Sequence, residues 1–127
     1  MTQKTVLIVD DSPIVRGIVS TWLSSMKLRV VESDGAAAFA RLVATEKPDL
    51  VLIDIDMPGL SGVKLSSLAR RDLLTSAPIV LHSSRNIGEL DVLARSQGLA
   101  GFIKKTDNRE FFQKRIRDFL MGWRLSA

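Results

Sequence analysis

The sequence predicts an α/β domain: five strands alternating with five helices, the strands forming one parallel sheet covered by helices on both faces. Three observations carry this. Two short runs, "VLIV" (6–9) and "LVLI" (50–53), are continuously apolar, as strands buried on both faces must be. Segments of helical periodicity alternate with the apolar runs along the chain. No internal repeat, low-complexity tract or linker interrupts the 127 residues, a length typical of one domain.

Each element has its own signal. After the first strand, Ser12 suits a helix N-cap and Pro13 the first helical position. Ile14, Ile18, Trp22 and Met26 then recur every four residues, flanked by Val15, Val19 and Leu23, which predicts an amphipathic helix. "LRVVES" (28–33) is short and more polar, so it belongs at a sheet edge. "GAAAFARLVATE" (35–46) reads as a helix, with Pro48 ending the segment. A third helix is expected from about Ser61 to Leu73, with Val63, Leu65, Leu68, Ala69 and Leu73 available to its inner face. "PIVLHSS" (78–84) reads as a strand ending in hydroxyls, and "NIGELDVLARSQ" as a helix stopped by Gly98. "AGFIKK" (100–105) is a strand ending in two lysines. The last helix has Asp107 and Glu110 at capping-box spacing, then a stripe of Phe112, Ile116, Phe119, Leu120 and Trp123.

Composition narrows the classes of function. Apolar residues make up 46% and charged residues 25%, as in ordinary globular proteins. No apolar run approaches the roughly 20 residues that span a bilayer, and the opening "MTQKTVLIVDD" is too short for a secretory signal, so a cytoplasmic location is expected. Cysteine is absent, which excludes disulfides and thiol catalysis, and the lone histidine, His82, is too little for a zinc cluster. His82 itself reads as structural. The net charge of +4 is uneven: residues 1–84 hold nine basic and nine acidic side chains, residues 85–127 nine and five. A basic face can attract an acidic partner or nucleic acid.

In parallel sheets of this kind, ligands bind beyond the carboxyl ends of the strands. At that end the first strand finishes in Asp10 and Asp11, the third in Asp54 with Asp56 two residues on, the fourth in Ser83 and Ser84, and the fifth in Lys104 and Lys105. Asp10 and Asp11 alone would read as a turn. If strands one and three are neighbours, about 4.8 Å apart, their carboxylates converge and need a positive partner. An oxygen-only ligand set favours magnesium, and a lysine adds a second charge. The constellation suits phosphoryl transfer, with Asp54 as a carboxylate nucleophile and the Ser83 hydroxyl as a donor to a phosphoryl oxygen.

"VLIVDDS", "DIDMPGLSG", "HSS" and "GFIKK", in this order and spacing over about residues 4–121, resemble the receiver domain of two-component response regulators. The resemblance implies a single CheY-like receiver over residues 1–127, of flavodoxin-like fold with strand order 2-1-3-4-5. It implies that Asp54 is the phosphoacceptor, opening an Asp-x-x-Met-Pro-x-x-x-Gly signature completed by Gly62. It further implies Mg2+ held by the Asp11 and Asp54 side chains, by Asp10 through a water and by the Asp56 carbonyl. Ser83 matches the switch hydroxyl, Lys105 rather than Lys104 the site lysine, and Phe102 the aromatic that turns inward on activation. Such a domain accepts a phosphoryl group from a sensor histidine kinase or histidine phosphotransfer protein. It then acts on a downstream protein or pairs with its own copy, here through the basic 85–124 region, and catalyses only its own phosphorylation and dephosphorylation. Thr106 stands where the family often has proline, Ser84 where alanine or glycine is usual, and Phe102 lacks the common tyrosine's hydroxyl. In the family, the positions two past the phosphoacceptor and two past the switch hydroxyl flank the entrance for attacking water. Here they are Asp56 and Arg85, and an ion pair between them would cover the aspartyl phosphate and lengthen its lifetime; the alternative is two separately solvated side chains.

Other readings fit less well. "LIDID" also resembles the Asp-x-Asp motif of haloacid-dehalogenase-type phosphatases, but there the nucleophile lies on an early strand and the acidic pair comes later. A flavin-binding module would cradle a phosphate at its first turn, where Asp10 and Asp11 would repel it. Direct DNA binding has only the charge in its favour. A protein-interaction module that needs no phosphorylation keeps the fold and discards the site chemistry.

Overall fold

The structure, a computed structural model, describes residues 3–57, 61, 64–67 and 75–123. Its elements are β1 (Thr5–Val9), α1 (Pro13–Ser24), β2 (Arg29–Ser33), α2 (Phe39–Glu46), β3 (Leu50–Asp54), α3 (seen over 64–67), β4 (Ile79–Ser83), α4 (Ile87–Ser96), β5 (Gly101–Lys104) and α5 (Arg109–Leu120). The sheet is parallel throughout, in the order β2-β1-β3-β4-β5. The polar strand β2 is at an edge, as its composition predicts.

The continuous apolar strands serve two cores because successive side chains point to opposite faces. Leu7, Val9, Val51, Ile53 and Leu81 pack with Phe39 and Val43 of α2, Leu65 of α3 and Leu90 of α4. Val6, Ile8, Leu50, Leu52 and Val80 pack on the other face with Val19 and Leu23 of α1 and Phe112, Ile116 and Phe119 of α5. At the foot of this second layer, Gly101 leaves room for the α5 aromatics. A Cβ there would lie 2.8 Å from two ring carbons of Phe119 and 3.3 Å from Trp123. Gly101→Ala is therefore expected to cost about 1–3 kcal/mol through overpacking, measured as a fall in the urea midpoint. An unchanged midpoint would mean that the Phe119 ring yields without penalty.

Several expectations need correction. Helix α2 begins at Phe39, four residues later than the start at Gly35 that the sequence suggests. Its N-cap, Ala38, has no side chain to bond the free amides, and the Ser33 hydroxyl instead organises the preceding turn through the Gly35 backbone. The cap of α5 is Asn108 rather than Asp107: Asn108 Oδ1 accepts from Phe111 N at 3.0 Å, while Thr106 Oγ1 accepts from Asn108 N and moves the start one residue on. Val15, Val19, Trp22 and Leu23 of α1, with Met26 just past its end, face the second core, but Ile14 and Ile18 are 75% and 46% exposed. A four-residue spacing drifts around a 3.6-residue helix, and α5 meets α1 only further along, where Phe112 contacts Trp22 and Gln113 bonds the Trp22 carbonyl. Of the proposed third helix, Val63, Leu68, Ala69 and Leu73 lie outside the described residues.

Candidate functional site

Register brings the acids together. Val9 pairs with Ile53, so Asp10, the next residue after β1, emerges beside Asp54, the last of β3. Asp10 Oδ1 accepts the Ser12 backbone N–H at 2.9 Å, and its carbonyl accepts from Arg16 Nη1 at 2.6 Å. Arg16 is itself tied to Glu32 of β2 at 3.3 Å. Oxygens of Asp10, Asp11 and Asp54 all lie within 4.8 Å of one another. Asp10 and Asp54 are buried and Asp11 is exposed, so the cluster opens to solvent on one side.

Lys105 supplies the positive charge. Its backbone N–H bonds the Ser83 carbonyl at 2.8 Å, just past β5. Its Nζ reaches Asp10 Oδ2 at 3.3 Å and Asp54 Oδ1 at 3.5 Å. Asp10 Oδ2 is the one fully buried side-chain polar atom among the described residues without a hydrogen bond; the lysine attracts it by charge alone. Burial pushes the Asp54 carboxyl above its ordinary range, and the Asp10 charge adds to this, although Lys105 opposes both. An all-oxygen set with one orphaned buried oxygen fits a hard divalent cation such as Mg2+.

Lys104 goes elsewhere: its Nζ donates to the Ser84 and Arg85 carbonyls at 3.2 and 3.1 Å. Ser83 is buried, and its Oγ accepts the Arg85 N–H at 3.1 Å; no hydrogen bond joins it to Asp54 among the described residues. Phe102 is half-buried against the first core, its carbonyl accepting from Arg115 Nη2 at 3.0 Å. Pro58 and Gly62 of the signature lie outside the described residues. The peptide bonds of the described residues, Lys105–Thr106 included, are trans.

Residues 6–117 match the family described as the response regulator receiver domain. The chain belongs to this family. Among its relatives, the receiver is 31% identical to protein PilH of Pseudomonas aeruginosa over 118 residues, covering 92% of this chain and 98% of PilH. It is 32% identical over 119 residues to the probable transcriptional regulatory protein NarL of Mycobacterium tuberculosis, 92% of this chain but 55% of that protein. The receiver thus spans nearly the whole of one relative and about half of the other. The BeF3-activated receiver domain of Klebsiella pneumoniae RstA superposes with a TM-score of 0.83 at 30% identity, covering 92% and 98% of the two chains. Vibrio cholerae chemotaxis protein CheY4 shares the fold, with a TM-score of 0.85 at 22% identity and 93% and 99% coverage.

The Asp56–Arg85 pair expected in this receiver forms. Arg85 Nη2 lies 2.5 Å from Asp56 Oδ1, and Arg85 Nη1 lies 2.9 Å from Glu89 Oε1. The Asp56 hydrogen bond holds the guanidinium even more firmly protonated than usual. The Asp56 backbone N–H donates to Asp54 Oδ1 at 3.3 Å. Sequence reading missed Arg16 and Glu89. Glu89 was detectable, since it lies in the first turn of α4, four residues after Arg85 of the preceding loop; nothing local marks Arg16 as a donor to the Asp10 carbonyl. His82 is buried with its ring against Phe112, and burial, aided by Lys105, lowers its pKa to about 3.

Proposed function

We propose that this receiver accepts a phosphoryl group on Asp54 from a phosphohistidine donor, a sensor kinase or phosphotransfer protein, and reports it to a protein partner. The observation that carries this is Lys105 Nζ between Asp10 and Asp54, with the Asp11 carboxylate alongside. An Asp54 carboxylate oxygen attacks phosphorus as the bond from phosphorus to the donor's imidazole nitrogen breaks, and the departing imidazole takes a proton from water. Lys105 stabilises negative charge on the transferred oxygens. A magnesium ion, when bound, would be held by Asp10, Asp11, Asp54 and Asp56 and would supply further charge neutralisation. The Ser83 hydroxyl donates to a phosphoryl oxygen, its O–H being left free by the bond it accepts from Arg85 N–H. The reaction turns over only this domain's own phosphate, and residues 4–121 act as one unit.

The output face proposed is the one shared by α4, β5 and α5. A groove of about 230 Å³ there is lined by Ile87, Phe102, Ile103, Lys104, Phe111 and Arg115. Its apolar floor and cationic rim suit an acidic partner segment or a second copy of the chain.

Intact mass after incubation with acetyl phosphate tests the reading: one phosphoryl group with Mg2+, none with EDTA. No adduct under either condition would overturn it. The exposed Asp56–Arg85–Glu89 cluster, worth a few tenths to 1 kcal/mol, sets the lifetime. Arg85→Ala is expected to speed loss of the phosphate by up to about fivefold, followed by phosphate release; an unchanged rate would remove the cluster from this role.

A further inference from the structure

Arg16, Arg29, Arg85 and Arg95 each pair with a carboxylate. Arg109 and Arg117 of α5 do not: among the described residues neither guanidinium has an ion pair or a hydrogen bond. Both are exposed, and both line one groove of about 490 Å³ where α5 passes the end of α1. This is the opposite face of α5 from Phe111 and Arg115, which line the output groove. The floor is Met26, Leu28 and Leu120, each half-buried, and no carboxylate lines the groove among the described residues.

Bare carbonyls at the end of a helix would repel an anion, but those of α1 are taken. Ser25 N–H bonds the Thr21 carbonyl, Met26 and Leu28 N–H the Leu23 carbonyl, and Lys27 N–H the Ser24 carbonyl. The Trp22 carbonyl accepts from Ser25 Oγ and from Gln113 Nε2. Gln113 Nε2 gives its second hydrogen to Ser25 Oγ. Its Oε1 is left as an acceptor for a peptide N–H, at a position midway between the two arginines.

We propose that this groove docks an extended acidic segment of a partner protein, with carboxylates at positions i and i+4 and a large apolar side chain at i+2. Arg109 and Arg117 are eight residues apart, about 12 Å along the helix. In an extended chain alternate side chains share a face, and each residue advances about 3.3 Å, so i and i+4 lie about 13 Å apart with i+2 between them. The two acids then reach the two guanidiniums, and the central side chain covers the Met26, Leu28 and Leu120 floor. A nucleic-acid strand would use the charges but leave that floor wet. None of these residues belongs to the acidic cluster or lines the output groove. A segment lying here leaves both open, so the domain can hold one partner while its other face serves another, with no call on the chemistry at Asp54.

The test titrates the whole chain into a fluorescein-labelled peptide, Ser-Glu-Ser-Leu-Ser-Glu-Ser, read by anisotropy and by amide NMR. Binding is expected to shift the Ser25, Met26, Leu28 and Gln113 amides. Arg109→Gln and Arg117→Gln are each expected to weaken it about threefold, the scale of an exposed charge pair, with thermal melts little changed. A peptide with serine in place of leucine should bind about tenfold more weakly, having no side chain for the floor. Absence of binding overturns the proposal, as does binding that neither arginine variant weakens. Shifts confined to Phe102 and Phe111 would place the peptide in the output groove instead. Equal binding of the serine peptide, or of an oligothymidylate, would make the groove an unselective cationic surface and likewise overturn it.

Discussion

Asparagine in place of Asp54 is expected to give a domain that takes up no phosphoryl group yet melts at a higher temperature than the wild type. The two effects share a cause. Asp54 is buried beside Asp10, and the carboxyl's raised pKa means that the fold disfavours its charge, mainly through burial. A native carboxyl with a raised pKa binds its proton more tightly than the unfolded chain does. Stability is therefore lost as pH rises from the unfolded value of 3.8 through the native one. Asparagine keeps the shape and removes the charge, so that loss disappears, and each kcal/mol regained raises the midpoint by about 3–6 °C for a domain of this size. Mg2+ should reverse the ranking. It stabilises the wild type by mass action, about 2.7 kcal/mol at a hundredfold excess over Kd, and does little for the variant. Thermal melts at pH 7 with and without Mg2+ measure both; an Asp54→Asn protein that melts lower than wild type without metal would contradict the electrostatic account.

Acid should unfold the protein through His82. The unfolded imidazole titrates at 6.5, and the buried one at about 3, because burial removes the charged form's hydration and Lys105 repels it. Between these values the unfolded chain carries a proton that the native chain refuses, so stability falls as pH drops from 6.5 toward 3. The whole window corresponds to about 5 kcal/mol, comparable with the lower end of total stability for a domain, about 5–15 kcal/mol. Asp54 runs the other way over the acid range and offsets part of this. His82→Leu, placed against Phe112, removes the histidine contribution. Urea midpoints of wild type and variant should diverge below pH 6.5, the variant holding its stability. Parallel curves down to pH 4 would show that the native imidazole accepts a proton.

Much of this was legible in the sequence because the signals were redundant. Strands β1 and β3 are apolar at every position that two cores require, and the Ser12–Pro13 start of α1 is written in adjacent residues. Asp10, Asp54 and Lys105 could be placed because parallel strands bring their carboxyl ends to one side. Where a single weak signal had to decide, the reading failed. The alanine run before Phe39 has helix propensity but no cap. Asp107 and Asn108 are both capping residues, and the choice fell to the Thr106 hydroxyl, a contact no pattern encodes. Ile14 and Ile18 obey the helix period, but whether α5 covers them depends on how two helices cross. The roles of Lys104 and Arg16 rest on reaching particular carbonyls, which only three-dimensional placement decides.

The position of β2 at the sheet edge bears on how copies of this chain can meet. An edge strand offers unpaired backbone groups to any passing strand, a common route to aggregation. Here the β2 side chains are engaged: Arg29 bonds Thr5 and Glu46, and Glu32 pairs with Arg16. Another strand docking along that edge would have to strip charged groups from their partners. Extension of the sheet from molecule to molecule along the β2 edge is thereby discouraged.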